Sequence, residues 1–393
     1  MSNYTYPLAT SSWDDEEIKA IQQVIKENMY SMGEQVYQFE KEFADYNGSK
    51  FAVMVNSGSS ANLIMIAALR FTDDTKIKLN PGDEVIVPAI SWSTSYYPLM
   101  QYGLKLKFVD VDLHTLNYDL QALSEAISNR TKAILVVNLL GNPNDFNEIQ
   151  RMAAVHNVSI IEDNCESMGA NFSGKRCGSF GLMGTFSSYF SHHISTMEGG
   201  LIVTDNEQLY HALLCLRAHG WTRNLPKENF VTGIKSENKF DESFKFVLPG
   251  YNVRPIEMSG SIGRVQLRKL PSFIAQRRRN ADMFKSVMDQ FPNFVIQKEI
   301  GESSWFGFSL ILDPKLKKTR LEILNMLDEA SIETRPIVAG NFVKNPVIQY
   351  ADYEVHKQLT NADYVHNNGF FIGNNHIDLS NMFDRLSDTL KSI

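Results

Sequence analysis

The stretch FAVMVNSGSSANLIMIAAL, residues 51–69, decides the fold that we predict. A short apolar run leads through a turn of small residues into a longer apolar segment, a pattern typical of a buried strand followed by a helix. Four similar runs follow, separated by helical segments such as NEIQRMAAVH. They are EVIVPAI from residue 84, LKFVDVD from 106, AILVVNLL from 133 and VSIIEDN from 158. We predict parallel strands joined by helical crossovers, and therefore an α/β fold with a mostly parallel mixed sheet flanked by helices. Buried pieces of helix are the alternative.

Two helices precede this region. In the first, Ile18, Ile21, Val24 and Ile25 share one face, and the second ends at the NG pair of residues 47–48. We assign residues 1–260 to a large domain that includes these helices.

The chain changes character after the PGYNVRP segment of residues 249–255. A long basic helix from residue 263, GRVQLRKLPSFIAQRRRNADMFKSVMDQF, connects to the segments FGFSLIL, RLEILNMLDEA, IETRPIV and FFIGN. We predict that residues 261–393 form this connector and a small C-terminal α+β domain. The polar, Lys-rich segment 224–246 is expected to be a surface excursion, and its role as a lid stays open.

Composition excludes several classes of function. The 393 residues carry a formal charge of -7 and no basic tract, so we expect no nucleic-acid partner. The N-terminal sequence lacks an export signal, and no apolar run approaches a membrane-spanning length, so we expect a cytoplasmic protein without a membrane partner. The three cysteines are scattered, which indicates neither disulfides nor a metal or iron–sulfur site.

Three motifs carry chemistry. Gly58 and Ser59 lie in a turn that opens a helix, where free backbone N–H groups bind phosphate; a plain helix cap is the alternative. Asp163 ends a predicted parallel strand, where α/β sheets bind ligands, although it is equally suited to capping a helix. Trp92 follows another strand and either stacks on a planar ligand or fills the core.

In this order the three motifs resemble the fold-type I pyridoxal-phosphate enzymes, and among them the sugar aminotransferase family that acts on nucleotide-linked keto-sugars. The resemblance implies that Gly58 and Ser59 hold the cofactor phosphate and that Trp92 stacks on the pyridine ring. It also implies that Asp163 pairs with the ring nitrogen and that Ser187 adds a hydroxyl to the phosphate.

Two further residues complete the implied cofactor site. Glu162, from the same ED pair as Asp163, is counted among the cofactor-binding residues. Asn252 resembles the family residue that reaches the phosphate of the neighbouring subunit. The resemblance therefore implies a homodimer with shared active sites.

The family's cofactor lysine is missing. In the family, F-S-F-x-x-x-K precedes Glu-Gly-Gly, and aligning Phe186 and residues 198–200 brings the lysine position onto His192. No lysine occurs between Arg176 and Pro226. An imidazole cannot form the Schiff base, so the cofactor is expected to be bound non-covalently, as pyridoxal 5'-phosphate or pyridoxamine 5'-phosphate.

Histidine at this position selects a reaction. With an unperturbed pKa of about 6.5, His192 is a competent base, but it cannot release product as a lysine does. The motif SHHI-T-MEGG resembles the 3-dehydratase branch of the family. That branch implies a GDP-linked 4-keto-6-deoxyhexose as substrate, loss of its C3 hydroxyl, L-glutamate as amino donor with 2-oxoglutarate as its product, and release of ammonia. The scattered cysteines argue against the related iron–sulfur branch.

For the remaining candidate residues, the sequence leaves alternative roles open. His193 rivals His192 as the base, but neighbouring residues in an extended turn point opposite ways, so one of them faces the cofactor. His219 resembles a histidine of the family that orients the site, or it simply ends a helix. Arg223, Glu333 and Arg335 are candidates for binding the glutamate carboxylates or the sugar, or form surface ion pairs. An ordinary sugar aminotransferase and a catalytically inactive cofactor-binding protein are the alternative functions.

Overall fold

A computed structural model describes residues 4–393 and contains a mixed sheet, a smaller antiparallel sheet and helices around both. The helices are α1 Asp15–Glu27, α2 Glu34–Asn47, α3 Gly58–Phe71, α4 Ser93–Gln101, α5 Leu120–Ala126, α6 Phe146–His156, α7 Glu207–Leu216, α8 Lys239–Ser243, α9 Glu257–Met288, α10 Arg320–Glu329, α11 Thr360–Asn368 and α12 Ser380–Leu390. Short 3₁₀ turns lie at Leu139–Gly141, Phe342–Lys344 and Pro346–Tyr350.

The strands of the large sheet are β1 Phe51–Val55, β2 Glu84–Pro88, β3 Lys105–Val109, β4 Thr131–Val137, β5 Ser159–Asp163, β8 Gly184–Ser187, β9 Gly200–Thr204 and β15 Tyr353–Val355. The other strands are β6 Asn171–Phe172, β7 Lys175–Arg176, β10 Glu228–Asn229, β11 Gly233–Ile234, β12 Phe294–Ile296, β13 Gly307–Leu312, β14 Thr334–Arg335 and β16 Gly369–Gly373.

The large sheet has the order β1-β9-β8-β5-β4-β2-β3-β15. All five predicted apolar runs form strands, and the α/β class is confirmed. β1 runs in the same direction as the other four, but its neighbour in the sheet, β9, is antiparallel to it. The reason is the connection between β8 and β9: residues 188–199 return directly, without a helical crossover, so β9 also runs antiparallel to β8.

The smaller sheet has the order β12-β13-β16-β14. Its core packs against the C-terminal half of α9 and against α10 and α12. The predicted connector helix is present as α9 and begins earlier than expected, at Glu257. β15 belongs to the predicted C-terminal domain by sequence but pairs with β3 of the large sheet, so the two parts share a sheet. The domain division at residue 260 stays a prediction.

Two segments leave apolar side chains on the surface. In α1, Val24 is buried as predicted from its face, but Ile18 and Ile25 are about half exposed. The excursion after α7 forms the β10–β11 hairpin and α8, and its Phe240 and Phe244 are exposed. Within residues 4–393, none of the helices is both long and apolar enough to cross a membrane.

Candidate functional site

The candidate site lies where four chain segments leave the large sheet at one edge. β9 is antiparallel to both of its neighbours, β1 and β8, so β1 runs in the same direction as β8, β5 and β2. The carboxyl ends of these four strands therefore lie on the same side of the sheet. The turns that follow them contain the motifs predicted from the sequence. This edge is where parallel α/β sheets bind ligands.

The turn after β1 presents the first residues of α3. Ser57 is the N-cap, and its Oγ accepts the N–H of Ser60 at 3.0 Å. The N–H groups of Gly58 and Ser59 are in the first turn, where a helix offers no internal acceptor. A Cβ on Gly58 would lie only 2.8 Å from the Ser187 Cβ. Glycine is therefore required for this turn and Ser187 to meet, and together they form a small polar cradle suited to a phosphate.

Asp163 ends β5 and is 5% exposed. Its Oδ2 accepts hydrogen bonds from Asn62 at 2.8 Å and from the Ser95 hydroxyl at 2.7 Å, and its Oδ1 accepts the Cys165 N–H at 3.1 Å. In the part of the chain that the structure describes, no cationic side chain forms an ion pair with it. A buried carboxylate held in place by neutral donors is suited to pair with a cation from a ligand.

Trp92 lies at the mouth of this cluster. It is the N-cap of α4 and its side chain is 58% exposed, so it does not fill the core. The residues that follow it bind the cluster: the Thr94 hydroxyl lies 3.1 Å from that of Ser59, and Ser95 binds Asp163. An exposed indole next to the buried polar cluster around Asp163 is available to stack on a planar ligand.

His192 contacts the loop that follows Asp163. Its Nδ1 lies 2.6 Å from the carbonyl oxygen of Cys165. A carbonyl oxygen only accepts, so Nδ1 carries the proton and Nε2 of a neutral ring is left with the free lone pair. His193 binds a different carbonyl: it is buried, and its Nε2 lies 3.2 Å from the Ser304 carbonyl oxygen. That only one of the two histidines faces the cofactor stays a prediction.

The surroundings keep His192 neutral. Burial lowers its pKa to about 4, and the Arg277 guanidinium acts in the same direction, whereas the Cys165 carbonyl and the Asp163 carboxylate oppose the shift. A neutral imidazole is available as a proton acceptor throughout the physiological pH range.

Glu162 does not join this cluster. Successive side chains on a strand point to opposite faces, so Glu162 is turned away from Asp163. Its carboxylate accepts the N–H groups of Gly178, Phe180 and Gly181 at 2.6 to 2.9 Å. Burial raises the pKa of Glu162 to about 7. Within residues 4–393 its carboxylate fixes a neighbouring loop and binds none of the other predicted cofactor residues, so the geometry does not support the cofactor contact expected of Glu162.

A second group of predicted residues lies apart from the first. Asn252 is exposed and its Oδ1 accepts Arg254 Nε at 3.0 Å, while Arg254 also approaches His219 Nε2 at 3.4 Å. Arg223 lies over the Trp221 ring at 5.2 Å. Within residues 4–393 none of these side chains contacts Asp163 or His192, so one chain does not bring the two groups together.

Glu333 and Arg335 form a third location, at β14 of the smaller sheet. Arg335 donates to Glu333 Oε1 at 3.1 Å, and Glu333 Oε2 accepts the Leu8 N–H at 3.1 Å. This arrangement agrees with the ion-pair alternative that the sequence left open. Neither side chain contacts the cluster around Asp163 within the described residues.

Sequence reasoning missed several members of the site. Asn62 and Ser95 lie in quoted motifs, but their contacts with Asp163 depend on how α3 and α4 pack. Glu166 was not singled out either; it accepts the Leu140 N–H at 2.9 Å, and burial raises its pKa to about 7. The available signal was spacing, since Glu166 follows Asp163 by three residues in the same loop.

The residues present fit a pyridoxal-type cofactor. The cradle at Gly58 is lined with hydroxyls and helix N–H groups for a phosphate, and Asp163 is a buried carboxylate that lacks a cation. Trp92 offers a ring face, and His192 supplies a neutral base at the same edge. These are the donor types that a phosphorylated pyridine needs.

Comparison with known proteins agrees with this fit. A model of the DegT/DnrJ/EryC1/StrS aminotransferase family matches residues 11–376. Two relatives, from Escherichia coli O55:H7 and Yersinia pseudotuberculosis, are named GDP-4-keto-6-deoxy-D-mannose 3-dehydratase. Each is 59% identical over 387 residues; the matches cover 98% of this chain and 99% and 98% of those proteins.

Three solved structures of that dehydratase superpose with TM-scores of 0.97 at 58% identity and cover 98% of this chain. One is the E. coli enzyme with bound hydrated PLP, 99% of which is covered. The other two are covered in full: one contains a trapped PLP-glutamate geminal diamine, and the other is a histidine-to-asparagine mutant with bound GDP-perosamine.

Proposed function

The chain belongs to the DegT/DnrJ/EryC1/StrS aminotransferase family, and on that premise we propose that it is a pyridoxal-phosphate-dependent nucleotide-sugar 3-dehydratase. Its substrate is GDP-4-keto-6-deoxy-D-mannose, from which it removes the C3 hydroxyl to give GDP-4-keto-3,6-dideoxymannose. L-Glutamate regenerates the pyridoxamine form of the cofactor, and ammonia is released. The relatives that are 59% identical over nearly the whole chain carry this name, which supports the substrate.

One observation carries the proposal: a histidine stands where the family's lysine is expected, in an otherwise complete cofactor site. His192 lies 2.6 Å from the Cys165 carbonyl, two residues beyond Asp163. A binding protein would have no need of a buried carboxylate that stabilises a protonated pyridine. The retention of Asp163 together with a neutral base therefore supports catalysis.

When bound, the cofactor supplies an electron sink that stabilises negative charge next to its reactive carbon. The chain's own residues do the rest. Gly58, Ser59 and Ser187 bind the phosphate, Trp92 covers one face of the ring, and Asp163 holds the proton on the ring nitrogen. His192 accepts a proton at Nε2 and returns it during the loss of the sugar hydroxyl.

The imidazole also determines whether the enzyme releases a keto-sugar with ammonia or an amino-sugar. A lysine would displace the product by forming a covalent link to the cofactor, which an imidazole cannot do. His192 can therefore move protons without recapturing the cofactor. The dehydrated amino-sugar leaves and loses its nitrogen to water as ammonia, whereas a lysine enzyme would deliver a stable amine.

The candidate residues for binding glutamate and the sugar lie in two groups. Arg223 and His219, together with Arg254, form a basic group next to the exposed Asn252. We propose that this group serves the active site of a neighbouring copy. Glu333 and Arg335 pair with each other, and their role in substrate binding stays a prediction without contacts that favour it.

We also propose a homodimer in which Asn252 reaches the partner's cofactor phosphate. Apolar side chains on α1 and on the histidine turn support an interface, since Ile18, Ile25, Tyr189 and Phe190 are each 44 to 50% exposed in the single chain. Exposed apolar patches mark interaction sites in many proteins. The cytoplasmic location stays a prediction.

Mass spectrometry of the sugar nucleotide tests the function. The protein is incubated with pyridoxal 5'-phosphate, L-glutamate and GDP-4-keto-6-deoxymannose, and ammonia is assayed in parallel. We expect a product that has lost the C3 oxygen, together with ammonia. An amine in place of the ketone without ammonia would mean transamination. No reaction with glutamate at all would favour an inactive cofactor-binding protein.

A further inference from the structure

Arg277 is a buried arginine without a carboxylate partner. It lies on α9 and is 3% exposed. Its guanidinium donates from one nitrogen to the carbonyl oxygens of Trp305, Phe306 and Asn374, at 3.3, 3.2 and 2.7 Å, and its Nε has no acceptor in the described chain. A buried charge is expensive unless it is paired. Because Arg277 is a buried cation that makes no ion pair within residues 4–393, we looked for a role that its charge could have in the site.

Two of the three carbonyls that hold Arg277, those of Trp305 and Phe306, belong to the segment that packs on the histidine pair. The Phe306 ring lies 5.0 Å from the His192 ring and 5.8 Å from the His193 ring, measured between centroids. Ser304, in the same segment, binds His193 through its carbonyl oxygen. Arg277 thus fixes the backbone that carries the ring packed on His192.

The same segment is tied to the floor of the site. Phe306 donates its N–H to the Leu140 carbonyl at 2.9 Å, and Leu140 donates its own N–H to Glu166. The contacts run from α9 through residues 304–306 to the loop that contains Asp163. A change at Arg277 therefore reaches His192 through packed neighbours, not through solvent.

Charge acts in addition to packing. The groups that face His192 are the Asp163 carboxylate and the Cys165 carbonyl from the loop after β5, Tyr189 and His193 from its own turn, and Arg277 from α9. Among these groups of the described chain, Arg277 is the one that is positively charged at neutral pH, although burial lowers its pKa to about 9. It opposes a second positive charge on the imidazole, whereas the Cys165 carbonyl and the Asp163 carboxylate favour one.

We propose that Arg277 is a positioning residue for His192: it anchors the segment that packs on the imidazole, and its buried charge disfavours a second positive charge on that ring. The inference rests on the proposed role of His192 as the base. Arg277 itself touches neither substrate nor cofactor, so its contribution is to the state and orientation of His192.

The test compares Arg277→Lys, which keeps the charge, with Arg277→Met, which removes it at similar size. Arg278→Met is the matched control, because Arg278 is the next residue on α9 and binds Ser303 and Glu302 of the same loop, but it is partly exposed and paired with a carboxylate. The readout is the pH dependence of the single-turnover reaction of the holoenzyme with glutamate.

We expect the acidic limb of this profile to move up by about one pH unit in Arg277→Met, with little movement in Arg277→Lys and Arg278→Met. A slower Arg277→Met enzyme with an unmoved acidic limb would show that Arg277 has only a structural role and would overturn the inference.

A second measurement does not depend on turnover. Imidazole ¹⁵N NMR of the wild-type protein, with the His192 signal assigned by its loss in His192→Asn, reports the protonation of that ring directly. We expect His192 to remain neutral, with the proton on Nδ1, at pH 5.5. Titration of His192 near pH 6.5 would overturn the inference. Absence of the glutamate reaction in the wild type, with His192 neutral, would instead count against the proposed function.

Discussion

The Nδ1 atom of His192 lies 2.6 Å from the carbonyl oxygen of Cys165, in the loop that begins at Asp163. One short chain segment therefore presents two groups to the same space: a carboxylate for the cofactor ring and a carbonyl that fixes the tautomer of the base. A backbone carbonyl oxygen only accepts hydrogen bonds, so Nδ1 must carry the proton. The free lone pair of the neutral ring is therefore on Nε2. The geometry assigns the proton transfer to that atom.

His192→Asn removes this lone pair. We expect the rate of the half-reaction with glutamate to fall by about 10²- to 10⁴-fold, the usual contribution of a general base, while cofactor affinity is nearly unchanged. Rapid-mixing spectroscopy measures the rate, and a cofactor titration measures the affinity. His193→Asn is the control: it changes a buried histidine in the same turn, and we expect lower thermal stability with a much smaller loss of rate. Equal losses of rate in both variants would contradict the assignment.

Asp163→Asn removes the charge that the cofactor ring requires. An amide still binds Ser95 but cannot pair with a protonated nitrogen, so we expect cofactor affinity to fall by about 10- to 100-fold, as for a lost hydrogen bond to a charged group. Fluorescence titration with pyridoxal 5'-phosphate measures it. Asp110→Asn is the matched control, since Asp110 is also a buried carboxylate, but it accepts the N–H groups of Asn361 and Ala362 at the start of α11. Unchanged affinity in Asp163→Asn would refute the role.

Much of this site was predictable because its chemistry is local. The small residues around Gly58, the strand that ends at Asp163 and the histidine turn lie in continuous segments whose pattern indicates strand, turn and helix. For the neighbouring Glu162 the sequence also contained a signal against a cofactor contact, since the alternation of a strand sends its side chain to the face opposite Asp163.

Other features depend on packing that one sequence does not encode locally. The sequence of the basic helix does not distinguish the three arginines of QRRRN, yet Arg277 is buried while Arg278 and Arg279 are not. The antiparallel pairing of β1 likewise depends on a distant strand, because β9 returns beside it from the histidine turn. Neither fact follows from composition or periodicity.

Glu166 gives a prediction about pH and stability. Burial raises its pKa to about 7 in the folded chain, above the ordinary value of 4.5, so the folded state holds this proton more tightly than the unfolded state. Stability from this group is present below pH 4.5 and is lost as the pH rises towards 7. Glu166→Gln still accepts the Leu140 N–H and cannot ionise. Its free energy of unfolding, compared with that of wild type, should therefore rise by roughly 1–2 kcal/mol from pH 5 to pH 8.

Urea unfolding of the two apo proteins at pH 5 and pH 8 measures this difference. The control is Glu237→Gln, which changes a glutamate that is 84% exposed, and whose pairing with Lys227 we expect to contribute little. A difference between Glu166→Gln and wild type that is the same at both pH values would contradict the prediction.

The shared active site can be tested by mixing two inactive variants. If Asn252 serves the partner's cofactor, His192→Asn and Asn252→Ala damage a site from opposite chains. A mixed dimer then contains one site with both changes and one intact site. After unfolding and refolding an equal mixture, random pairing makes half of the dimers mixed, so we expect roughly a quarter of wild-type activity. The double variant refolded with wild type controls for refolding yield. Activity no higher than the sum of the separate variants would mean that each chain builds its own site.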